Sequence, residues 1–212
     1  FMIIPRAMVS IKRINEILET EPVIKNPLKK DLKRPKETGS IEFCDVTFIY
    51  PNALEPALKN VTFTAKPGEL TAIIGSTGSG KSTLANLIPR LYDTAQGTVY
   101  VDGVDVKQFN THDLRERIGY VPQKNMLFSG NIESNISFGR NISKEEIIES
   151  AQISQASEFI NETEEGYGHF IAQGGMNVSG GQKQRLSIAR ALVGSPKIYI
   201  FDDSFSSLDF QT

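Results

Sequence analysis

The residues whose chemistry is easiest to read form the loop GSTGSGKS, from Gly75 to Ser82. Its spacing is that of a phosphate-binding loop, in which small residues let backbone N–H groups turn toward phosphate oxygens at a helix N-terminus. Lys81 supplies a positive charge, and Ser82 supplies a hydroxyl for Mg²⁺. A plain Gly/Ser turn is the alternative, and the apolar run before the loop argues against it. The predicted nucleotide-binding residues of this loop are Gly75, Ser76, Thr77, Gly78, Ser79, Gly80, Lys81, Ser82 and Thr83.

Two carboxylates follow the apolar run IYIF, at Asp202 and Asp203. An aspartate after a strand is by itself more often a turn or cap residue. A phosphate-binding loop, however, requires a strand-terminal carboxylate to hold the hydration shell of Mg²⁺, and Asp202 has the position for it. The two motifs therefore support each other.

A third segment, NVSGGQKQR, lies between them and contains Ser179 to Gln182. Small residues directly before a helix offer a hydroxyl, bare N–H groups and a helix dipole to an anion. Taken alone, the segment is more often a flexible turn with an N-cap than an anion site.

The elements that must position these residues alternate between strand and helix patterns. Strands are predicted for IEFCDVTFIY, ALKNVTFTA, ELTAIIG, GTVYVDG and KIYIF, and the run Leu70 to Ile74 is expected to be buried on both faces. Helices are predicted after the phosphate-binding loop, over residues 144 to 160 behind a capping box of Ser143 and Glu146, and from about Gly181 through RLSIARAL.

Composition limits the class of protein. The 212 residues are 39% hydrophobic and 23% charged with a net charge of -2, which is typical of a folded domain and gives no global basic field for nucleic acid. A single cysteine, Cys44, and two histidines make a disulfide framework or a structural zinc site improbable. A reducing compartment fits this composition.

The first 40 residues differ from the rest. They hold nine Lys or Arg against five Asp or Glu, net +4, and begin with an apolar stripe at helical spacing, Ile4, Ala7, Ile11, Ile14 and Leu18. Residues 21–39 contain three prolines and six Lys or Arg and are predicted to be an extended linker. The apolar start is too short to cross a bilayer as given.

Taken together, the phosphate-binding loop, Gln123 in GYVPQ, SGGQ, and IYIFDD followed by SLD closely resemble the ATP-binding cassette (ABC) family from Ile41 onward. The resemblance implies an α/β fold, with a P-loop core, an N-terminal antiparallel β subdomain and an inserted helical subdomain at about 124–180, inside a domain at 40–212. It also implies ATP and Mg²⁺ as ligands. The start, residues 1–20, resembles the cytoplasmic end of an exporter's last membrane helix; an ordinary amphipathic helix is the alternative.

The resemblance also implies roles for individual residues. Lys81, Gln123 and Asp203 take catalytic positions, and Tyr50 takes that of an aromatic that stacks on adenine, with core packing as its alternative. Three residues, Ser82, Gln123 and Asp202, are implied around the metal. In the family, the signature motif acts on the ATP of a partner domain; here it consists of Ser179, Gly180, Gly181 and Gln182. Asp209 belongs to the D-loop, which follows the strand that ends before Asp202.

Departures from the family pattern suggest a specialised member. Asp203 stands where the family has glutamate, and Gln173 where many exporters have glutamate, as in the weak-site half of heterodimeric exporters. Moving a catalytic group by about 1 Å can cost a hundredfold in rate, so slow hydrolysis is expected at this site. The sequence stops at Thr212, directly after the SLD motif, so the family's switch histidine is not included and a C-terminally truncated domain is expected.

Three functions therefore compete on sequence grounds. The leading one is the ATP-hydrolysing domain of an exporter at the cytoplasmic face of a membrane, paired with a second such domain and attached to a transmembrane domain of the same parent. A second is an ATP-binding structural half whose partner does the chemistry. A third is a soluble cassette ATPase acting on DNA or ribosomes, which the net charge and the exporter-like start oppose.

Overall fold

The computed structural model describes residues 3–28, 35–36 and 38–204, and the side chains from residue 8 onward within these ranges. Its helices are α1 Ile3–Leu18, α2 Lys81–Leu87, α3 Thr111–Glu116, α4 Ile132–Ser137, α5 Lys144–Ile153, α6 Ser157–Glu162 and α7 Gly180–Leu192. Its strands are β1 Ile41–Phe48, β2 Leu58–Ala65, β3 Gln96–Val101, β4 Val104–Asp105, β5 Ile118–Val121, β6 Gly130–Asn131, β7 Phe170–Ile171 and β8 Ile198–Phe201.

An antiparallel sheet in the order β2-β1-β3-β4 forms the N-terminal layer. Buried and exposed residues alternate along β1 up to Phe43 and again from Val46, because successive side chains point to opposite faces, and a bulge at Cys44 and Asp45 shifts the alternation between the two parts. The buried face includes Phe43, Val46 and Phe48, and it packs against α2 through Leu84 and Leu87. This layer holds the phosphate-binding loop, since α2 begins directly after it.

Strands β5 and β8 form a parallel pair, with Ile118 opposite Ile198 and Val121 opposite Phe201. The carboxyl ends of parallel strands meet at one edge, which is where this class of sheet binds ligands. Gln123 follows β5, and Asp202 follows β8. The pairing therefore brings the two predicted residues to the same edge.

Helices α4 to α7 surround a second hydrophobic cluster. Its members include Ile132 and Ile136 of α4, Ile147 of α5, Ile160 of α6 and Leu186 of α7. The predicted capping box at the start of α5 is confirmed, because Ser143 Oγ accepts from the Glu146 backbone and Glu146 Oε2 accepts from the Ser143 backbone. The signature segment leads into α7 at the edge of this cluster.

One of the predicted strands is wrong. The run Leu70 to Ile74 forms no strand, and Leu70 and Ile74 are 98% and 93% exposed rather than buried. A strand buried on both faces needs neighbours, and within the described residues β5 and β8 pair only with each other. For the same reason β8, expected to be buried, is half exposed, with Tyr199 43% accessible.

The predicted helix 144–160 is in fact two helices. α5 ends at Ile153 and α6 begins at Ser157. Between them Gln155 has φ 57, a left-handed conformation that a helix cannot continue through. The apolar spacing carried on across this turn because both helices pack on the same cluster.

The C-terminal end of the linker is fastened to the β layer. Asp102 Oδ1 accepts from the backbone N–H groups of Thr38, Gly39 and Ser40, and Asp102 Oδ2 pairs with Arg117 at 3.0 Å. Burial alone would raise the pKa of the Asp102 carboxyl, but hydrogen bonds from the Thr38 hydroxyl and from the backbone N–H groups of Gly39, Thr38 and Ser40 outweigh it, and the pKa is lowered.

α1 leaves its apolar side chains accessible, with Ile11 and Ile14 54% and 55% exposed. None of the helices in the described ranges is long and apolar enough to cross a membrane.

Candidate functional site

The phosphate-binding loop turns into α2 through a left-handed glycine. Gly80, the N-cap, has φ 91, and a Cβ there would come within 2.8 Å of Leu58 and 2.9 Å of the Ala57 carbonyl. Glycine is therefore required at this position. Within the described residues no side chain caps α2, so its first N–H groups are available to an anion.

Lys81 folds back over the loop. Its Nζ donates to the carbonyl oxygens of Gly75 and Ser76, each at 2.8 Å. The ammonium is thus held within the turn that the glycines create. A phosphate bound in the loop would offer this charge a stronger partner than the two carbonyls do.

The two predicted metal-site residues on different elements meet directly. Ser82 Oγ donates to Asp202 Oδ1 at 3.0 Å, although the residues are 120 positions apart in sequence. Asp202 is fixed in turn, because its backbone N–H donates to Val121 O across the parallel pair. Hydroxyl and carboxylate oxygens are the kind of ligand that Mg²⁺ prefers.

Gln123 and Asp203 also meet. Gln123 Nε2 lies 3.3 Å from Asp203 Oδ2, joining the ends of β5 and β8. Asp203 has φ 51, a left-handed conformation that is uncommon for residues other than glycine. Such local strain recurs at functional sites. The structure therefore places all three predicted catalytic or metal-binding carboxylate and amide groups at one edge of the sheet.

Tyr50 lies beside α2. Its hydroxyl is 2.9 Å from Thr83 Oγ1, and its ring makes edge contacts with Phe48 and Tyr92 at centroid distances of 4.8 and 5.4 Å. The ring is partly buried against the β-layer core. Tyr50 therefore makes the core contacts that its alternative interpretation, core packing, predicts. Through Thr83 it also contacts the first turn of α2, next to the phosphate-binding loop.

A second tyrosine, Tyr120, stands close to the carboxylates. Burial, followed by the negative charge of Asp202, raises its pKa to about 12. Its hydroxyl donates to Asn86 Oδ1 at 2.9 Å. Tyr120 therefore stays protonated at neutral pH and ties α2 to β5.

The signature residues form a complete capping box at the start of α7. Ser179 Oγ accepts from the Gln182 backbone at 3.2 Å, and Gln182 Oε1 accepts from the Ser179 backbone at 2.9 Å. A Cβ on Gly180 would meet nothing within 4 Å. Among the described residues, the hydrogen bonds of Ser179 and Gln182 stay within this turn and none reaches the phosphate-binding loop.

A cavity of about 250 Å³ opens beside the signature turn. Its walls include Glu158 and Glu162 of α6 and Arg185 of α7, and Arg185 lies 3.9 Å from Glu158.

The structure thus divides the predicted residues into two groups. Lys81, Ser82, Gln123, Asp202 and Asp203 form one site, and the signature forms another surface. Asp209 lies outside the described residues. Tyr92 and Tyr120 also lie near these residues, and nothing in their local sequence pattern marks them.

Comparison with known proteins identifies the family. The family model described as ABC transporter matches residues 58–206. The chain belongs to the ABC transporter family. Its α/β fold is that of the P-loop core of this family, with an antiparallel β layer and a helical layer.

Relatives of the chain include ATP-binding proteins and exporters of this family. It is 48% identical over 212 residues to the uncharacterized ABC transporter ATP-binding protein YfiB of Bacillus subtilis (strain 168), covering 100% of this chain and 36% of that protein. It is 39% identical over 208 residues to the ATP-dependent lipid A-core flippase of Coxiella burnetii (strain RSA 493 / Nine Mile phase I), covering 97% and 35%.

The solved structure of a bacterial Atm1-family ABC exporter with ATP bound matches 98% of this chain and 36% of that chain, with a TM-score of 0.89 and 31% identity. The chain therefore spans about a third of the length of these ABC relatives.

The residues present fit ATP and Mg²⁺. The uncapped start of α2, the left-handed Gly80 and Lys81 suit a polyphosphate, and the contact of Ser82 with Asp202 suits a hard cation. Mg²⁺, when bound, would offset the negative charge of the phosphate oxygens.

Proposed function

We propose that this chain is the ATP-binding and ATP-hydrolysing domain of an ABC exporter, and that it couples ATP use to export across a membrane. The observation that carries the proposal is the contact of Ser82 with Asp202 beside the uncapped N-terminus of α2. That arrangement joins a phosphate site to a metal site. The likeness to ABC exporters supports the transport role.

Each residue of the site has a proposed task. Lys81 binds phosphate oxygens, while Ser82 and Asp202 hold the metal. Gln123 and Asp203 orient the attacking water, since both lie at the strand edge next to the metal position. Tyr50 offers an aromatic surface on which the adenine of ATP stacks, a contact worth about 1 to 3 kcal/mol.

We further propose a domain arrangement. Residues 1–20 extend from a transmembrane domain of the same parent, 21–39 link it to the nucleotide-binding domain at 40–212, and about 124–180 form the helical subdomain. The domain then works at the cytoplasmic face of the membrane. The fastening of residues 38–40 by Asp102 supports this, because it fixes the linker to the β layer.

The partner is a second ABC nucleotide-binding domain. Gly180 has open space around its Cβ position, so nothing in the described part of the chain requires glycine there. Close approach of a partner's nucleotide to the start of α7 supplies the missing reason. A heterodimer is favoured, because Asp203 weakens this chain's own site while the signature is intact.

A second function of another class is an ATP-binding half that holds the dimer together without hydrolysing ATP itself. Asp203 supports it, since its carboxylate is one methylene shorter than the family's glutamate and is engaged by Gln123. The two proposals differ in the turnover of this chain's own site.

The test uses the full-length protein, purified in lipid with its partner. We expect Mg²⁺-dependent ATP hydrolysis that chelation of the metal abolishes, and we expect Lys81→Ala to reduce it. Lys66→Ala is the matched control, because Lys66 is an exposed lysine outside the loop. Absence of Mg²⁺-dependent hydrolysis in the unaltered complex, or equal effects of the two variants, would contradict the proposal.

A further inference from the structure

Gln184, in the second turn of α7, is buried without a hydrogen-bond partner. Its side chain belongs to a residue only 1% exposed, and neither Oε1 nor Nε2 bonds to any group within the part of the chain that the structure describes. Burying an amide in this way is unfavourable. Such a group calls for a physical reason.

Two other buried polar atoms share this situation. Ser187, 3% exposed, has an unpartnered hydroxyl, and Asn125 has an unpartnered side-chain oxygen, again among the described residues. Ser187 lies three positions after Gln184 and therefore on the same side of α7. Asn125 follows Gln123 by two residues.

The segment that carries Asn125 lies against α7. Val121, at the end of β5, packs with Ile188 and Ala191 of α7. Farther along, Arg190 Nη1 donates to the carbonyl of Met126 at 3.0 Å. Both ends of the segment from Val121 to Met126 therefore contact α7.

Packing continues along the same segment. Leu127 and Leu186 belong to one buried cluster. α7 runs into β8, which is parallel to β5, so the first turns of α7 lie toward the carboxyl end of β5. Gln184 lies one turn before Ile188, on the side of α7 that packs on Val121, and toward the carboxyl end of β5, where the segment that contains Gln123 leaves the strand.

We propose that Gln184 is a positioning residue for ATP hydrolysis, which holds buried water together with Ser187 and Asn125 and so fixes the segment after Gln123 against the signature helix. This inference rests on the proposed ATPase function. A buried water typically makes about three hydrogen bonds to groups that would otherwise be unsatisfied. The two amides and the hydroxyl offer both donors and acceptors for it.

Activity should then depend on this position more than folding does. An apolar side chain of similar shape removes the amide that holds the water and leaves the Ser187 hydroxyl and the Asn125 oxygen without that partner. The link between α7 and the Gln123 segment is lost with it. A side chain that served only to fill the core would tolerate the change without a loss of activity.

The experiment uses Gln184→Met in the full-length complex, because methionine is unbranched and close to glutamine in shape. We expect a kcat for ATP hydrolysis at least fivefold lower and a KM for ATP within twofold of the unaltered complex. Hydrogen exchange of the backbone amides of residues 123–127 should become at least threefold faster.

A smaller change provides a second arm and its matched control. Ser187→Ala should reproduce the loss of kcat and the faster exchange in weaker form. Ser150→Ala should change neither, since Ser150 is a buried serine of α5 whose hydroxyl donates to Ile147 O at 2.9 Å. These substitutions are small enough to be tested even if Gln184→Met does not fold.

The outcomes separate the two proposals. Unchanged amide exchange at residues 123–127 in Gln184→Met and Ser187→Ala overturns the positioning role, and so does an unchanged kcat in an active complex. Lack of ATP hydrolysis in the unaltered complex overturns the proposed function instead. The exchange rates then decide by themselves whether Gln184 fixes the segment.

Discussion

The phosphate-binding loop and the signature segment are both glycine-rich turns that lead into a helix, yet their glycines are constrained by different things. Gly80 has a left-handed φ of 91 and lies against Leu58 and Ala57, so its own fold excludes a side chain. Gly180 has open space at the Cβ position. The first glycine is required by intramolecular packing, and we attribute the second to a partner.

The helix starts differ in the same way. α2 has no side-chain cap within the described residues, whereas α7 is capped by Ser179 and Gln182. An uncapped helix start leaves its backbone N–H groups available to an anion bound by the same chain. In the capped start the Ser179 hydroxyl accepts a hydrogen bond and keeps its own hydrogen for another acceptor. Similar sequences therefore make one self-contained site and one half of a composite site.

The largest expected effect concerns the signature. Gly180→Asp should lower total ATPase of the full complex by about a hundredfold, because it places a carboxylate where the partner's phosphate charge develops. The melting temperature should stay within about 2 °C, since the space is open. Steady-state ATPase and thermal unfolding measure both. A parallel loss of stability would contradict the proposed difference between the two glycines.

The phosphate-binding loop gives the next effect. Lys81→Ala should weaken ATP affinity at least tenfold, about 1.4 kcal/mol, because the loop loses its positive charge. Titration calorimetry on the full-length complex measures this, with Lys66→Ala as the control. Total ATPase should fall less than with Gly180→Asp; an equal fall would remove the asymmetry inferred from Asp203.

Asp203→Glu should raise ATP turnover at this chain's own site, which we propose to be the weaker of the two. The longer side chain restores the missing methylene, so turnover at this site should rise severalfold while ATP affinity stays within a few-fold. Single-site turnover measured with the partner's site disabled tests it. Asp202→Glu adds the same methylene to the metal ligand and should lower turnover; high turnover of the unaltered site would contradict the weak-site proposal.

The smallest effect concerns pH and the linker clasp, by which we mean the hydrogen bonds from residues 38–40 to Asp102. The pKa of Asp102 is lowered in the fold, so its contribution to stability is present above the unfolded value of about 3.9 and is lost as pH falls through the lower folded value. Asp102→Asn should reduce stability at pH 7 and flatten this acid dependence. Thermal unfolding between pH 3 and pH 7 measures the slope, and an unchanged slope would contradict the clasp.

The features that the sequence determined are local. The loop around Lys81, the capping box of Ser143 with Glu146 and the start of α7 all depend on hydrogen bonds or turns that span at most six residues. Residue spacing sets such contacts directly, because helix and turn geometry fixes which neighbours face each other. The family resemblance rests on these short motifs, and the family comparison confirmed it.

Tertiary structure alone decided the contacts between distant residues. Ser82 meets Asp202 across 120 positions, and Gln123 meets Asp203 across 80, because β5 and β8 pair in parallel. The exposure of Leu70 and the burial of Gln184 likewise depend on which elements surround them. An apolar run or a glutamine has the same letters in either setting, since burial is a property of neighbouring elements and not of local spacing.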